Sequence, residues 1–265
     1  MAFLDIISLD RVPLTKEMLI DDLKNLGICN GDYLLVHSSL NKIGYIIGKE
    51  QTLVEALIEV VGFDGLVVMP THSGDNSNPE EWSNPPVPKS WFLPLKQNIP
   101  AYDKFLTPTR GVGVVPEFFR RYDNVFRSNH PMVSFAAYGK RRKELLKNHP
   151  YDYELSDASP LGLMYKWNFK ILMLGTNYDS CTAMHLSEYR ANYRSGITRE
   201  CAVMENGKRK WIQYNDLDID SDIFNTIGIE YEKSKLIKSL NVGYANSKLI
   251  EFCDLIDFTT KYLSK

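Results

Sequence analysis

The chain has 265 residues, of which 44% are hydrophobic and 24% charged, with a formal net charge of -2. That balance describes an ordinary globular protein, long enough for one large domain or two small ones, and supplies no global field for nucleic acid or an acidic membrane. No apolar run reaches membrane-spanning length, the stretch Met1–Asp10 lacks the basic start and long apolar core of a signal peptide, and four scattered cysteines without CxxC spacing read as reduced thiols of a cytoplasmic protein.

In chain order, Thr15 caps a helix with Met18, Leu19, Leu23 and Leu26 on one stripe, closed by Gly27. A turn at Asn30-Gly31-Asp32 leads into a strand, Tyr33–His37. A second helix carries Leu53, Ala56, Leu57, Val60 and Val61 and ends before Gly62; a strand, Leu66–Met69, follows. This alternation predicts an α/β sheet covered on both faces. From Pro70 to Phe105 the periodicity stops; six prolines between Pro79 and Pro100, with Trp82 and Trp91, predict a long ordered, packed loop. A helix over Val114–Arg121 tolerates Pro116 in its first turn. Short strands over Val125–Arg127 and Ser134–Tyr138 come next, then a basic helix (Lys140–Lys147), an apolar one (Leu161–Trp167) and a strand (Lys170–Leu174). Asn206-Gly207 between strand-like runs predicts a hairpin. A helix near Ser221–Tyr231, strands near Lys235–Leu240 and Ser247–Phe252, and a terminal helix complete the chain. The elements of about 195–245 form an additional α+β subdomain within a single 1–265 domain.

The most telling segment runs from Leu174 to Glu188. A strand ends at Gly175, a polar turn carries Asp179, and a helix then presents His185 and Glu188 three residues apart, on one face. A histidine there can serve as a general base, although such pairs are more often solvated or structural. His37-Ser38-Ser39-Leu40 follows the first strand, where hydroxyls and free amides suit a phosphate or an amide-rich arm, or simply cap the next turn. Thr109-Arg110-Gly111-Val112-Gly113 puts a cation and two glycines before a helix, which favours an anion or a plain structural turn. His130, before Pro131, fits a loop-fixing role better than a catalytic one. Gly44 to Glu50 fails as a P-loop, with one residue too few and Glu50 where a magnesium-binding hydroxyl belongs. No G-x-S-x-G elbow supports a serine hydrolase at Ser38 or Ser39. Without HExxH, metal is not expected, and His72 adds a ligand only if the fold brings it near His185. Cys181 reads as an apolar filler.

Together, Val36–Leu40, Met69–Ser73, Thr107–Gly111, Arg127–Pro131 and Tyr178–Glu188 resemble, in order and over nearly the whole chain, the aminoglycoside 3-N-acetyltransferase family. The resemblance implies a three-layer αβα sandwich unlike the GNAT fold, around a mixed sheet, and acetyl transfer from acetyl-CoA to an amine of a deoxystreptamine antibiotic. It implies that His37, Ser38, Ser39 and Leu40 hold the pantetheine and pyrophosphate of CoA, helped by Thr71, Thr109, Arg110, Gly111 and Gly113. It makes His185 the base, with Glu188 and Asp216 as catalytic acids and Asp216 as the partner of the histidine. It turns Asp75, Tyr178, Asp179 and Glu188 toward a cationic small-molecule acceptor. Backbone amides, Thr71 or Ser73 are the oxyanion candidates. Cys181 and His72 depart from the family pattern, which leaves acceptor preference open. The alternatives are the same chemistry on another small amine, or a non-catalytic CoA-binding protein. No metal, nucleic acid or membrane partner is expected, and there is room for a homodimer.

Overall fold

The computed structural model describes residues 11–83 and 85–265, so the reading of Met1–Asp10 lies outside the described residues. In chain order the elements are α1 (Lys16–Leu26), β1 (Tyr33–Ser38), α2 (Leu40–Ile43), α3 (Lys49–Val61), β2 (Leu66–Pro70), α4 (Phe92–Asn98), α5 (Val114–Phe119), β3 (Phe126–Arg127), β4 (Phe135–Gly139), α6 (Arg142–Leu146), α7 (Pro160–Lys166), β5 (Lys170–Leu174), α8 (His185–Arg190), β6 (Gly196–Glu205), β7 (Lys208–Leu217), α9 (Phe224–Ser234), β8 (Lys238–Val242), β9 (Ala245–Glu251) and α10 (Phe252–Leu263).

Seven strands form a mixed sheet in the order β3-β4-β2-β1-β5-β9-β8. Its centre is parallel: β1 pairs with β2 on one side and β5 on the other, with Leu35 opposite both Val68 and Ile171. The flanking pairs are antiparallel. The central strands are buried on both faces and so read as apolar runs rather than alternations. Successive side chains still point to opposite faces. Leu34, Val36, Val67, Met69, Leu172 and Leu174 pack against α1, α3 and α5. Leu35, Leu66, Val68, Ile171 and Met173 pack against α6, α7, α8, α9 and α10. Each fully buried side chain of this kind contributes about 1.5–3 kcal/mol. The result is the expected three-layer αβα sandwich.

Between Pro70 and Phe105 one expectation is corrected, among the described residues: the segment contains α4 and three single 3-10 turns rather than unbroken loop. Trp82 is held by its indole N–H donating to Ser77 Oγ at 2.8 Å, whereas Trp91 is 55% exposed and does not pack the segment. The bracing comes from the β6–β7 hairpin, whose turn is Asn206-Gly207 at positive φ. Asn76 Nδ2 and Tyr102 N both donate to Ala202 O at 3.0 Å, and Arg209 Nε donates to Ile99 O at 2.7 Å. The hairpin and the proline-rich segment therefore satisfy each other's backbone groups.

Candidate active site

The parallel strands β1, β2 and β5 end at one edge of the sheet, and their outgoing loops meet there. Because β1 has its parallel neighbours on opposite sides, this is the place where open α/β sheets leave a crevice. Ser39 N donates to Leu174 O at 2.9 Å, tying the end of β1 to that of β5. Gly175 ends β5 at φ 65°; a Cβ there would sit 2.9 Å from Ala245 Cβ and 3.1 Å from Lys42 Cβ, so both conformation and space require glycine.

The cleft has a volume of about 620 Å³, ordinary for a small-molecule site, and is open to solvent. One wall is His37-Ser38-Ser39-Leu40, and the facing wall is Gly111 to Pro116 at the start of α5. His72, Thr176, Asp179, Ser180, Thr182 and His185 complete it. His37 Nε2, Ser38 Oγ, His72 Nε2 and Thr176 Oγ1 are shielded from solvent and have no hydrogen-bond partner. Burial holds His37 down to about 4, and burial, reinforced by the fields of His185 and His37, holds His72 down to about 3. Both imidazoles are therefore neutral near pH 7.

His185 differs from them by having a carboxylate. Its Nδ1 lies 2.6 Å from Glu188 Oε2, and the Glu188 side chain is only 1% exposed. The other oxygen of Glu188 accepts from Arg194 Nε at 2.8 Å and, more weakly, from Asp220 N at 3.4 Å. Arg194 in turn pairs with Asp220 Oδ1 at 3.0 Å. The His185 ring rests against Phe224, centroids 4.9 Å apart. With Nδ1–H committed to the carboxylate, Nε2 carries the lone pair of the neutral ring.

Several expected site residues are placed elsewhere. Asp216 is not the partner of His185: its Oδ1 accepts from Tyr189 O–H at 2.6 Å, and Oδ2 faces Arg199 at 3.6 Å. Glu188 does not face an acceptor, since both its oxygens are occupied in the interior. Thr71 is fully buried, its hydroxyl 3.1 Å from Ser134 Oγ, and the Ser73 hydroxyl donates to Pro131 O at 2.9 Å, so neither hydroxyl reaches the cleft. Thr109 gives both its N–H and its hydroxyl to Glu117 Oε2. Arg110 pairs with Asp75 at 3.1 Å, and the two line a separate surface groove with Trp82. Among the described residues lining the cleft there is no lysine or arginine, and Asp179 is the one carboxylate. Tyr178 is 3% exposed and lies under α9, where a Cβ on Gly228 would run into its ring.

His130 fixes its loop, as expected, by accepting from Met132 N and Val133 N at Nδ1. Cys181 is buried, and that burial pushes its thiol up to about 12. Thr176 and Arg194 were missed by sequence reasoning. Thr176 carried a usable signal, as the first residue after the glycine that ends β5; Arg194 carried none. No helix among the described residues is long and apolar enough to cross a membrane, and no cluster of three or more metal-ligating side chains occurs among them.

Comparison with known proteins places the chain and its fold. The family model described as aminoglycoside 3-N-acetyltransferase matches residues 35–264. The SPbeta prophage-derived aminoglycoside N(3')-acetyltransferase-like protein YokD of Bacillus subtilis is 41% identical over 94% of this chain and 92% of its own. Its crystal structure superimposes with a TM-score of 0.93, covering 95% of this chain and 94% of that one. Aminoglycoside N(3)-acetyltransferase IX of Micromonospora chalcea is 33% identical over 80% of this chain and 76% of its own. The binary complex of AAC-IIIb with CoASH gives a TM-score of 0.84 at 25% identity, over 95% of this chain and 97% of that one. With 230 consecutive positions inside the family model and the sandwich shared throughout, the chain belongs to the aminoglycoside 3-N-acetyltransferase family.

Proposed function

We propose that this protein is an acetyl-CoA-dependent N-acetyltransferase acting on the 3-amino group of 2-deoxystreptamine aminoglycosides, by direct transfer in a ternary complex. The whole chain acts as one such domain; of the expected 195–245 subdomain only the β6–β7 hairpin stands apart, as an accessory with the 70–105 segment, because β8 joins the central sheet and α9 packs on it. The observation that carries the reading is the Glu188-held His185 in a cleft at the carboxyl ends of the parallel strands. The family and the CoASH complex of AAC-IIIb support the co-substrate. So does the cleft itself: unpartnered donors and acceptors on His37, Ser38 and Thr176 suit an amide-rich pantetheine arm. With no basic side chain lining the cleft among the described residues, phosphates there depend on backbone amides, those of Gly111 and Gly113 included.

When bound, acetyl-CoA supplies the activated acyl group. His185 Nε2 removes the proton of the attacking amine, and Glu188 stabilises the imidazolium through Nδ1. Asp179, exposed at the cleft edge, meets the cationic acceptor. Having one carboxylate in the cleft lining, with Asp75 and Glu188 tied to arginines, also fits acetylation of a small amine carrying fewer charges. An acceptor panel that includes monoamines separates the two readings.

The test is thiol release from acetyl-CoA in the presence of aminoglycosides, with the acetylated position read by NMR. His185→Ala lowers kcat by about 10²–10⁴ and retains CoA-dependent thermal stabilisation. Near-normal turnover in that variant refutes the assignment.

A further inference from the structure

The cleft holds a second imidazole to which the reaction so far gives no task. His72 follows β2, and the backbone around it is fixed on both sides. Thr71 N donates to Ser134 O and Ser73 N to Met132 O, each at 2.8 Å, while His72 O accepts from Arg110 N at 2.7 Å. The ring stands edge-on to Phe135, centroids 6.1 Å apart and planes at 88°. Nε2 is shielded from water and unpartnered, in the cleft that His185 also lines. The hydroxyls of Thr71 and Ser73, the side-chain candidates for an oxyanion contact, are bonded elsewhere.

The geometry points to His72 as a catalytic hydrogen-bond donor, a neutral imidazole whose Nε2–H meets the thioester oxygen as that oxygen gains charge. This rests on the acetyltransferase reading above. In the step, the amine nitrogen forms the new C–N bond and the carbonyl π pair moves onto oxygen, where Nε2–H donates. The pair returns as the C–S bond breaks. The proton that His185 took from nitrogen passes to the departing sulfur, which gives an amide and a free thiol.

Neutrality suits this task. Imidazolium at His72 would place a positive charge in the field of the base and oppose its protonation, whereas a neutral N–H stabilises the oxyanion without doing so. A neutral imidazole with its proton on Nε2 is a donor at that atom and not a second base. His37 shares the burial and the unpartnered Nε2. His37, however, sits in the His37–Leu40 wall that the acetyltransferase reading gives to the CoA arm, whereas His72 lies outside that wall.

The experiment uses the full chain and acetyl-CoA labelled with ¹³C at the thioester carbonyl, without acceptor, read by difference infrared spectroscopy. Binding lowers the carbonyl stretch in the wild type; His72→Leu loses that shift, and His72→Gln, whose amide N–H takes the place of Nε2–H, keeps it. With acceptor present, His72→Leu loses about 10²–10³ in kcat, as removal of one oxyanion donor does, and His72→Gln recovers most of it. The KM for acetyl-CoA changes by less than about threefold in both. ¹⁵N NMR of the wild type shows a protonated Nε2 at His72, a readout available even if His72→Leu does not fold. A carbonyl band that is the same in wild type and His72→Leu, or an unprotonated Nε2, overturns the proposal while leaving the acetyltransferase reading intact. No bound carbonyl band and no CoA-dependent stabilisation in the wild type overturn both.

Discussion

Glu188→Gln is the sharpest probe of the site, because the substitution keeps volume and removes one charge. Glu188 makes two charge-assisted contacts, to His185 Nδ1 at 2.6 Å and Arg194 Nε at 2.8 Å, with its side chain 1% exposed. Such bonds are worth about 1.5–3 kcal/mol each. Arg194 is 21% exposed and keeps Asp220 at 3.0 Å, which recovers part of the loss. The expected destabilisation is therefore about 3 kcal/mol, or a fall in Tm of about 6–10 °C for a chain of this size. The effect on activity is larger. A glutamine amide turned toward Nδ1 makes that nitrogen an acceptor and leaves the proton on Nε2, so the base begins in the wrong tautomer. A comparable change in a serine protease triad costs about 10⁴ in kcat, and a loss of about 10³–10⁴ is expected here. The control is Asp216→Asn, which touches Tyr189 and Arg199 but not His185. It costs stability and leaves kcat within about tenfold. Thiol-release kinetics and thermal melts on the two variants decide the matter: a catalytic collapse in Asp216→Asn with near-normal kcat in Glu188→Gln would refute the assignment of the acid.

Two further outcomes follow from packing and burial. Gly228→Ala drives a methyl into the Tyr178 ring and destabilises by about 1–3 kcal/mol, seen as a lower denaturant midpoint with an unchanged m-value; an unchanged midpoint contradicts the packing described. His37, His72, His130 and His149 are all held below their ordinary value, mainly by burial, so the unfolded chain takes up protons near pH 6.5 that the folded chain refuses, at His37 and His149 until about pH 4 and at His72 until about pH 3. Their stabilising contribution is full above pH 6.5 and is lost as pH falls. Glu154 opposes them, because burial first and then Asp216 push it up to about 8, and its contribution is lost as pH rises through that value. The three imidazoles at His37, His72 and His149 against the one carboxyl leave about two protons, or a fall of about 3 kcal/mol per pH unit on acidification from about pH 6 to 5, with His130 adding in the same direction; urea unfolding at pH 7, 6 and 5 measures it, and a flat profile contradicts it.

The parts of the site legible in the sequence are the local ones. The strand-glycine-turn-helix run from Lys170 to Glu188 is continuous chain, and the three-residue spacing of His185 and Glu188 already brings them together. The hairpin turn was likewise carried by two adjacent residues, Asn206 and Gly207. What stayed hidden depends on partners far along the chain. A cation at a helix start suggests an anion site, yet Arg110 finds Asp75 across the fold, and nothing near either residue announces the pair. The Thr109 hydroxyl goes to Glu117, one helical turn inside α5. Asp216 sits on β7, whose pairing turns it inward to Tyr189 and Arg199 rather than toward the cleft. α4 escaped notice because Pro94 reads as a breaker, although in the first turn of a helix proline loses no hydrogen bond that the helix would have made.

This contrast bears on what makes a histidine a base. His37, His72 and His185 line one cleft, and residue type alone does not distinguish them. Burial acts on the first two in one direction only, against the charged form, and nothing in the structure offsets it. At His185 the same interior supplies Glu188, itself anchored by Arg194 and the Asp220 backbone, so imidazolium at that position has a fixed counter-charge. Moving the carboxylate, not the imidazole, would therefore move the base. The helix α8 is what prevents it, because it carries both groups on adjacent turns and delivers them as one unit to the end of β5.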